Sequence, residues 1–173
     1  MNGRLISPEY LAQQKAMHEG PRGYGGKGSK WADHAERIYR RAHAGSLLDY
    51  GCGEGSLAKA LRPRGVAVRE YDPAIPGKDA APKPADIVVC SDVLEHIEPG
   101  RIDVVLAHLR AMTAIECLAV IALEPANKSL PDGRNAHILL RPVEWWRERL
   151  AAHGFGVTEE LRLDHKMWAV VLA

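Results

Sequence analysis

One stretch of the chain leaves little freedom in how it folds: Ser46-Leu47-Leu48-Asp49-Tyr50-Gly51-Cys52-Gly53-Glu54-Gly55-Ser56, an apolar run closed by an acidic residue and a glycine-rich turn. Residues without a Cβ let the backbone approach a ligand closely, and the N–H groups of a helix opening there point at that ligand. A second strand-like run, Val66 to Tyr71, ends in Asp72, twenty-one positions after Gly51. That spacing suits a carboxylate that accepts hydrogen bonds from both hydroxyls of a ribose. The stretch therefore reads as the loop of a nucleotide cofactor, held where strands end and helices begin.

The rest of the chain supplies the alternation such a loop needs. Apolar runs at Leu47–Tyr50, Val66–Tyr71, Ile87–Ser91 and Leu118–Leu123 are separated by helical stretches at Ser56–Leu61 and Arg101–Met112. This predicts an α/β fold with a parallel sheet covered by helices on both faces. Trp31, Ala35, Ile38, Tyr39 and Ala42 repeat at helical spacing and predict a leading helix from Trp31 to His43. Pro142 to His153 reads as another, with Pro at its start and Gly154 just past its end. Thr158–Leu163 and Met167–Leu172 read as a closing antiparallel hairpin that turns near Asp164 and His165.

The glycines of the loop fall as Gly51-x-Gly53-x-Gly55, with Ser56 where a dinucleotide fingerprint has its third glycine, and this disfavours NAD. An acidic residue two positions before a G-C-G-x-G core resembles motif I of the class I S-adenosylmethionine-dependent methyltransferases. The resemblance continues through Tyr71-Asp72-Pro73 and through Asp86-Ile87-Val88-Val89-Cys90-Ser91-Asp92-Val93-Leu94-Glu95-His96-Ile97, which looks like the family's fourth strand and following loop. It spans about residues 30 to 173 and implies a Rossmann-like methyltransferase fold with S-adenosylmethionine as cofactor. By the same resemblance, Gly51, Cys52 and Gly53 face the methionine portion and Asp49 orders its ammonium. Asp72 holds the ribose, Pro73, Ala74 and Ile75 form an apolar wall for adenine, and the Ser91 carbonyl with Asp92 completes the ammonium side. Asp72 and Asp92 have plainer readings too, as turn and helix-cap residues.

One departure from the family pattern is expected. Four prolines between residues 73 and 84 disfavour a strand where the family has its third, so that strand is short or absent. Asp79 reads as a solvated loop residue or a substitute polar contact on the adenine side. Residues 1–30 precede the domain, which runs from 31 to 173. Gly20 to Lys30 is too glycine-rich to hold a regular element and implies a mobile segment. In related small methyltransferases such a segment closes over the cofactor as a lid, a role for which Tyr24 and Lys30 are the candidates; a plain linker is the alternative. Gly28-Ser29-Lys30 lacks the order and the preceding strand of a phosphate loop, which argues against ATP.

For the methyl acceptor the candidates lie in two places. His96 follows the fourth family strand, at the carboxyl ends of the strands where open α/β sheets bind ligands. Leu130-Pro131-Asp132-Gly133-Arg134-Asn135-Ala136-His137 is unusually polar for the segment before the Trp145-Trp146 helix. Asp132, Arg134 and Asn135 are candidates for reading polar groups, His137 or His96 for taking a proton, and Trp145 for lying against a planar substrate. The alternatives are a solvated Pro131-Asp132-Gly133 turn and core packing of both tryptophans.

Bulk properties exclude several classes. A chain of 173 residues with 46% hydrophobic and 26% charged residues is an ordinary globule of one domain, and a net charge of +1 gives no general pull toward nucleic acid or membrane. No apolar stretch is long enough to span a bilayer, and Met1-Asn2-Gly3-Arg4 lacks the apolar region of a signal peptide. Cys52, Cys90 and Cys117 form no CxxC pair and argue for a reduced, cytoplasmic setting; Asn127-Lys128-Ser129 is then an accidental sequon. The eight histidines show no HExxH or Cys/His spacing, which argues against a bound metal. Ser91-Asp92-Val93-Leu94 replaces the proline-rich loop of amino-directed DNA methyltransferases, no cysteine follows a proline as cytosine-C5 chemistry needs, and there is no duplex-reading domain. The expected function is transfer of a methyl group to an oxygen or nitrogen of a small polar metabolite, nucleotide-like or sugar-like. The alternatives are a noncatalytic cofactor-binding module serving a larger methyltransferase, with a protein partner, or an RNA methyltransferase that uses the basic N-terminal segment.

Overall fold

The computed structural model describes residues 5–20 and 24–173. Its centre is one six-stranded sheet in the order β2-β1-β3-β4-β6-β5, with β1 at Leu47–Tyr50, β2 at Val68–Tyr71, β3 at Ala85–Ser91, β4 at Thr113–Ala122, β5 at Val157–Leu163 and β6 at Met167–Leu172. The first four strands run parallel, β6 is antiparallel to β4, and β5 is antiparallel to β6. The helices are α1 at Pro8–Glu19, α2 at Ala32–Arg41, α3 at Ser56–Leu61, α4 at Ile102–Met112 and α5 at Val143–Ala152.

Alternation along the strands divides the core between the two faces of the sheet. Leu48, Val88 and Cys90 pack with Ile102, Leu106 and Leu109 of α4 and with Trp146 and Leu150 of α5. Their neighbours Leu47, Ile87 and Val89 face the other way, onto Ile38 of α2 and Leu57 and Leu61 of α3. Because both faces are covered, the central strands read as continuous apolar runs. Cys52, Cys90 and Cys117 are all buried and unpaired.

The third strand of the family pattern is absent, as its prolines predict: the chain passes from β2 directly to β3, and β2 becomes the sheet edge. Arg69 of β2 donates to the Pro84 carbonyl, so the proline segment covers that edge. Asp79 accepts from the Gly77 N–H within an exposed turn. Strand β4 begins five residues before the apolar run that announces it, because a bulge between Ala85 and Ile87 of β3 accommodates Thr113 to Glu116 in the ladder.

Two features of the N-terminal region differ from the sequence expectation. Helix α1 stands ahead of the glycine-rich stretch, in a part of residues 1–30 to which the sequence reading assigns no element. Its apolar residues form no stripe, but Ser7 accepts from the Tyr10 N–H as N-cap and Pro8 occupies the first turn. Tyr10 and Met17 pack on Leu130, Ala136 and Ala126, so the helix lies on the segment between β4 and α5. The glycine-rich stretch expected to be mobile holds a single 3₁₀ turn at Gly28–Trp31, while Pro21, Arg22 and Gly23 lie outside the described residues. No helix among the described residues is long and apolar enough to cross a membrane.

Candidate functional site

The turn after β1 carries the backbone geometry that its glycines permit. Gly51 has φ 75° and Gly53 φ 51°, in the left-handed region that L-residues rarely adopt. A Cβ on Gly51 would run into the Val93 side chain, and one on Gly53 into the backbone of Gly25. The loop is therefore pressed between the segment after β3 on one side and the N-terminal segment on the other. Asp72 ties it to β2: its Oδ2 accepts from the Gly53 N–H at 3.0 Å and its Oδ1 from the Ala74 N–H at 2.9 Å. Lys78 bonds the Gly53 carbonyl at 2.9 Å and pairs with Glu70 at 2.8 Å.

These contacts shape a cavity of about 650 Å³ at the carboxyl ends of the parallel strands. Of the residues assigned to a cofactor from the sequence, Tyr24, Lys30, Asp49, Gly51, Cys52, Gly53, Asp72, Pro73, Ser91 and Asp92 line it. They come from separate segments that only the fold joins. Ala74 also faces it, while Ile75 lines a smaller recess of about 400 Å³ that shares Gly53, Glu54 and Ala74 as walls.

The floor of the cavity is electrostatically unsettled. Asp49 is 4% exposed and its Oδ2 has no hydrogen-bond partner. Burial, reinforced by the Glu70 charge, pushes its carboxyl up to about 7. An ammonium group, as donor and as opposite charge, would satisfy that oxygen. Tyr10 Oη and Gln14 Nε2 are likewise buried without a partner, and both residues line the cavity from α1.

Over the cavity lies the segment from Tyr24 to Trp31. Gly25 O accepts from the Glu54 N–H at 3.2 Å, the Ser29 N–H donates to Ser56 Oγ at 3.1 Å, and Lys30 pairs with Asp92 at 3.0 Å. Asp92 itself has φ 55°, a strained conformation for a residue with a side chain, and its N–H bonds Val120 O at 3.0 Å.

Beside Asp92 the fold assembles a group that sequence spacing does not announce. One donor atom each of Glu95, His96 and His137 lies within 4.8 Å of the other two, although His137 is forty-one positions from His96. The expectation that the histidines are scattered is corrected here: the segment after β4 folds back, with the Leu139 N–H donating to Glu95 O at 2.9 Å, and lays His137 against His96 at a ring separation of 4.8 Å. His96 Nδ1 stands 2.8 Å from Ala136 O, and His137 Nδ1 2.6 Å from Glu124 O. A carbonyl can only accept, so each Nδ1 donates, and in a neutral ring the lone pair falls to Nε2. The Tyr24 hydroxyl, 3.0 Å from His96 Nδ1, shares that proton as a second acceptor. Burial, followed by the neighbouring His137, lowers His96 to about 4, and burial raises the Tyr24 hydroxyl well above its usual value. Burial also raises Glu95 to about 8, with the Asp92 charge adding to it.

The other acceptor candidates do not line the cavity. Asp132 and Arg134 pair with each other at 2.7 Å on the surface, which pulls Asp132 down to about 2. Asn135 is spent on the fold: its side chain accepts from the Ala126 and His137 N–H groups and donates to Ala126 O. Pro131-Asp132-Gly133 is thus a turn that carries His137 to the site. Trp145 lies between the guanidinium groups of Arg141 and Arg149, because its neighbour Trp146 takes the face of α5 that enters the core. Sequence reading missed Tyr10, Gln14 and His18 of α1 as cavity residues. The Ser7-Pro8-Glu9 start signal was the cue that could have placed them on a helix.

No curated protein matches the sequence significantly. Many solved structures share the fold. The 1,6-didemethyltoxoflavin-N1-methyltransferase of Burkholderia thailandensis, with S-adenosylhomocysteine bound, superposes with a TM-score of 0.67 at 16% identity, over 99% of this chain and 92% of that one. The DhpI–SAH complex gives a TM-score of 0.67 at 18% identity, over 97% and 98% of the two chains. The magnesium protoporphyrin IX methyltransferase of Synechocystis with bound SAM gives 0.62 at 14% identity, over 99% of both. Residues 25–160 match the family model described as a methyltransferase domain, and with that match spanning most of its length the chain belongs to the methyltransferase domain family.

Proposed function

We propose that the protein transfers the methyl group of S-adenosylmethionine to an oxygen or nitrogen of a small polar metabolite bound beside His96 and His137. The observation that carries this reading is the shared cavity: the glycine loop, the Asp49 oxygen without a partner and the two imidazole lone pairs all belong to one space large enough for a nucleoside cofactor and a small acceptor. The solved relatives named above hold that cofactor or its demethylated product.

In this reading the glycine loop takes the methionine portion and Asp49 its ammonium. Asp72, already anchored to the loop amides, has lone pairs left for the ribose diol, and Pro73 and Ala74 face the adenine. The sulfonium methyl is activated before it arrives. The protein's part is to align an acceptor lone pair in line with the methyl–sulfur bond and to exclude water, an entropic contribution of up to roughly 7–11 kcal/mol. Tyr24 and Lys30 act as the lid that keeps water out. A hydroxyl acceptor must also lose a proton, worth about 10²–10⁴ in rate, and the imidazoles of His96 and His137 are the catalytic groups for that step.

Calorimetric titration with S-adenosylmethionine and S-adenosylhomocysteine tests the cofactor, and the expected result is saturable binding of both. Incubation with methyl-labelled cofactor and fractionated cell extract tests the acceptor. Label is expected in the small-molecule fraction; recovery only in RNA or protein refutes the acceptor class.

A further inference from the structure

Glu95, His96 and His137 are arranged as ligands of a cation. Three donor atoms within 4.8 Å of one another are close to what one ion spans at about 2.0–2.2 Å per ligand, and side-chain rotation of less than about 1 Å closes the difference. Each Nδ1 stands against a backbone carbonyl, the outer-shell bond that metal-ligating histidines make, which leaves Nε2 as the ligand atom of the neutral ring. A second observation is independent of the rings. Glu95 is fully buried, its Oε1 accepts from the Ala122 N–H at 3.1 Å, and its Oε2 has no partner. A nearby cation would complete that carboxylate; the Lys30 ammonium, which lines the same cavity, is paired with Asp92.

We propose that Glu95, His96 and His137 bind one divalent ion of the zinc class, and that this ion holds the methyl acceptor through a hydroxyl oxygen. Two imidazoles and one carboxylate suit zinc and its neighbours rather than magnesium or calcium, and three protein ligands leave a coordination position for substrate. The ion's binding stands on the geometry alone; its task rests on the methyl-transfer reading above. The acceptor O–H, bound through oxygen, gives its proton to water as it binds, before water is excluded from the cavity. Its lone pair then forms the O–CH₃ bond while the S–CH₃ electron pair returns to sulfur as a neutral thioether. With the ion bound, His96 and His137 act as its ligands in place of the proton-accepting role they have in the metal-free reading, and the acceptor class narrows to hydroxyl compounds.

The test is titration of the chelator-stripped full chain with Co²⁺, read by its visible spectrum, with Zn²⁺ as competitor. One equivalent is expected to give visible bands without the near-ultraviolet charge transfer of a thiolate ligand, and Zn²⁺ is expected to displace it. His137→Ala removes a ligand and should weaken binding by more than the roughly 10–100-fold that loss of an outer-shell partner costs, as should Glu95→Gln. His137 is the safer position because it is only partly buried, and circular dichroism monitors folding of both variants. A thiolate band, affinity unchanged in folded His137→Ala, or no uptake at sub-millimolar Co²⁺ overturns the site. A thermal shift with S-adenosylhomocysteine on the same samples separates the two readings: cofactor binding without metal uptake refutes the ion alone, and absence of cofactor binding refutes the methyl-transfer reading.

Discussion

Asp49 shows at the scale of one residue how a binding site costs stability. Its carboxyl is raised to about 7 in the folded chain against the ordinary aspartate value near 3.8. The folded state therefore binds the proton more tightly than the unfolded state. The penalty is absent below about pH 4, grows by about 1.4 kcal/mol per pH unit as pH rises toward 7, and is complete above it. Asp49→Asn removes the ionisation. Without cofactor, its melting temperature should exceed that of the native protein by a wider margin at pH 8 than at pH 5 in scanning calorimetry, while its affinity for S-adenosylmethionine falls. Equal margins at both pH values would contradict the assignment. Asp72 is the opposite case, a carboxylate with both oxygens engaged. Asp72→Ala removes the anchor of the loop and, in the proposed reading, the ribose contact; titration should show cofactor affinity reduced by roughly one to two orders of magnitude, given about 1.5–3 kcal/mol per charge-assisted bond.

Among the elements, the N-terminal segment meets the glycine loop and α3 through single hydrogen bonds, from Glu54 N–H to Gly25 O and from Ser29 N–H to Ser56 Oγ. The Gly53 position touches it directly, since any side chain there meets the Gly25 backbone. Gly53→Ala should therefore raise hydrogen exchange at the amides of residues 24–31 and abolish tight cofactor binding, while the amides of β1, β3 and β4 stay protected. Helix α1 depends on its cap and on a small satellite cluster. Ser7→Ala should cost about 1 kcal/mol of local stability, seen as faster exchange across Pro8–Glu19 with little change in the global melting temperature. Such an element can open without disturbing the sheet, which is what entry of a cofactor into a covered cavity requires.

At the scale of the whole molecule, stability resides in the two layers packed on the sheet. Leu106 on α4 is fully buried among side chains from the strands. Leu106→Ala should destabilise by about 2–5 kcal/mol, a fall in melting temperature of roughly 5–15 °C for a domain of this size. The sheet brings its parallel strands to a common end, and that end carries the glycine loop, Asp72, Ser91 and Asp92 together. The Glu95–His96–His137 cluster is completed from the opposite flank, where the segment between β4 and α5 carries His137 back to His96.

Local pattern determined the strands, α2 to α5, the missing third family strand and the cofactor wall, because each follows from short-range chemistry: alternation in strands, glycine where φ is positive, proline where a ladder needs N–H groups. Helix α1 escaped that reading because it is held by its cap and by contacts on a distant segment rather than by an apolar stripe. Of the residues read as facing an acceptor, only His96 and His137 line the cavity. Asp132, Arg134, Asn135 and Trp145 have the right chemical types, yet whether a polar side chain faces a ligand or satisfies its neighbours depends on partners far away in the chain. The meeting of Glu95, His96 and His137 was decided by the tertiary structure alone, since it requires the return of the chain after β4 to set two rings and a buried carboxylate side by side.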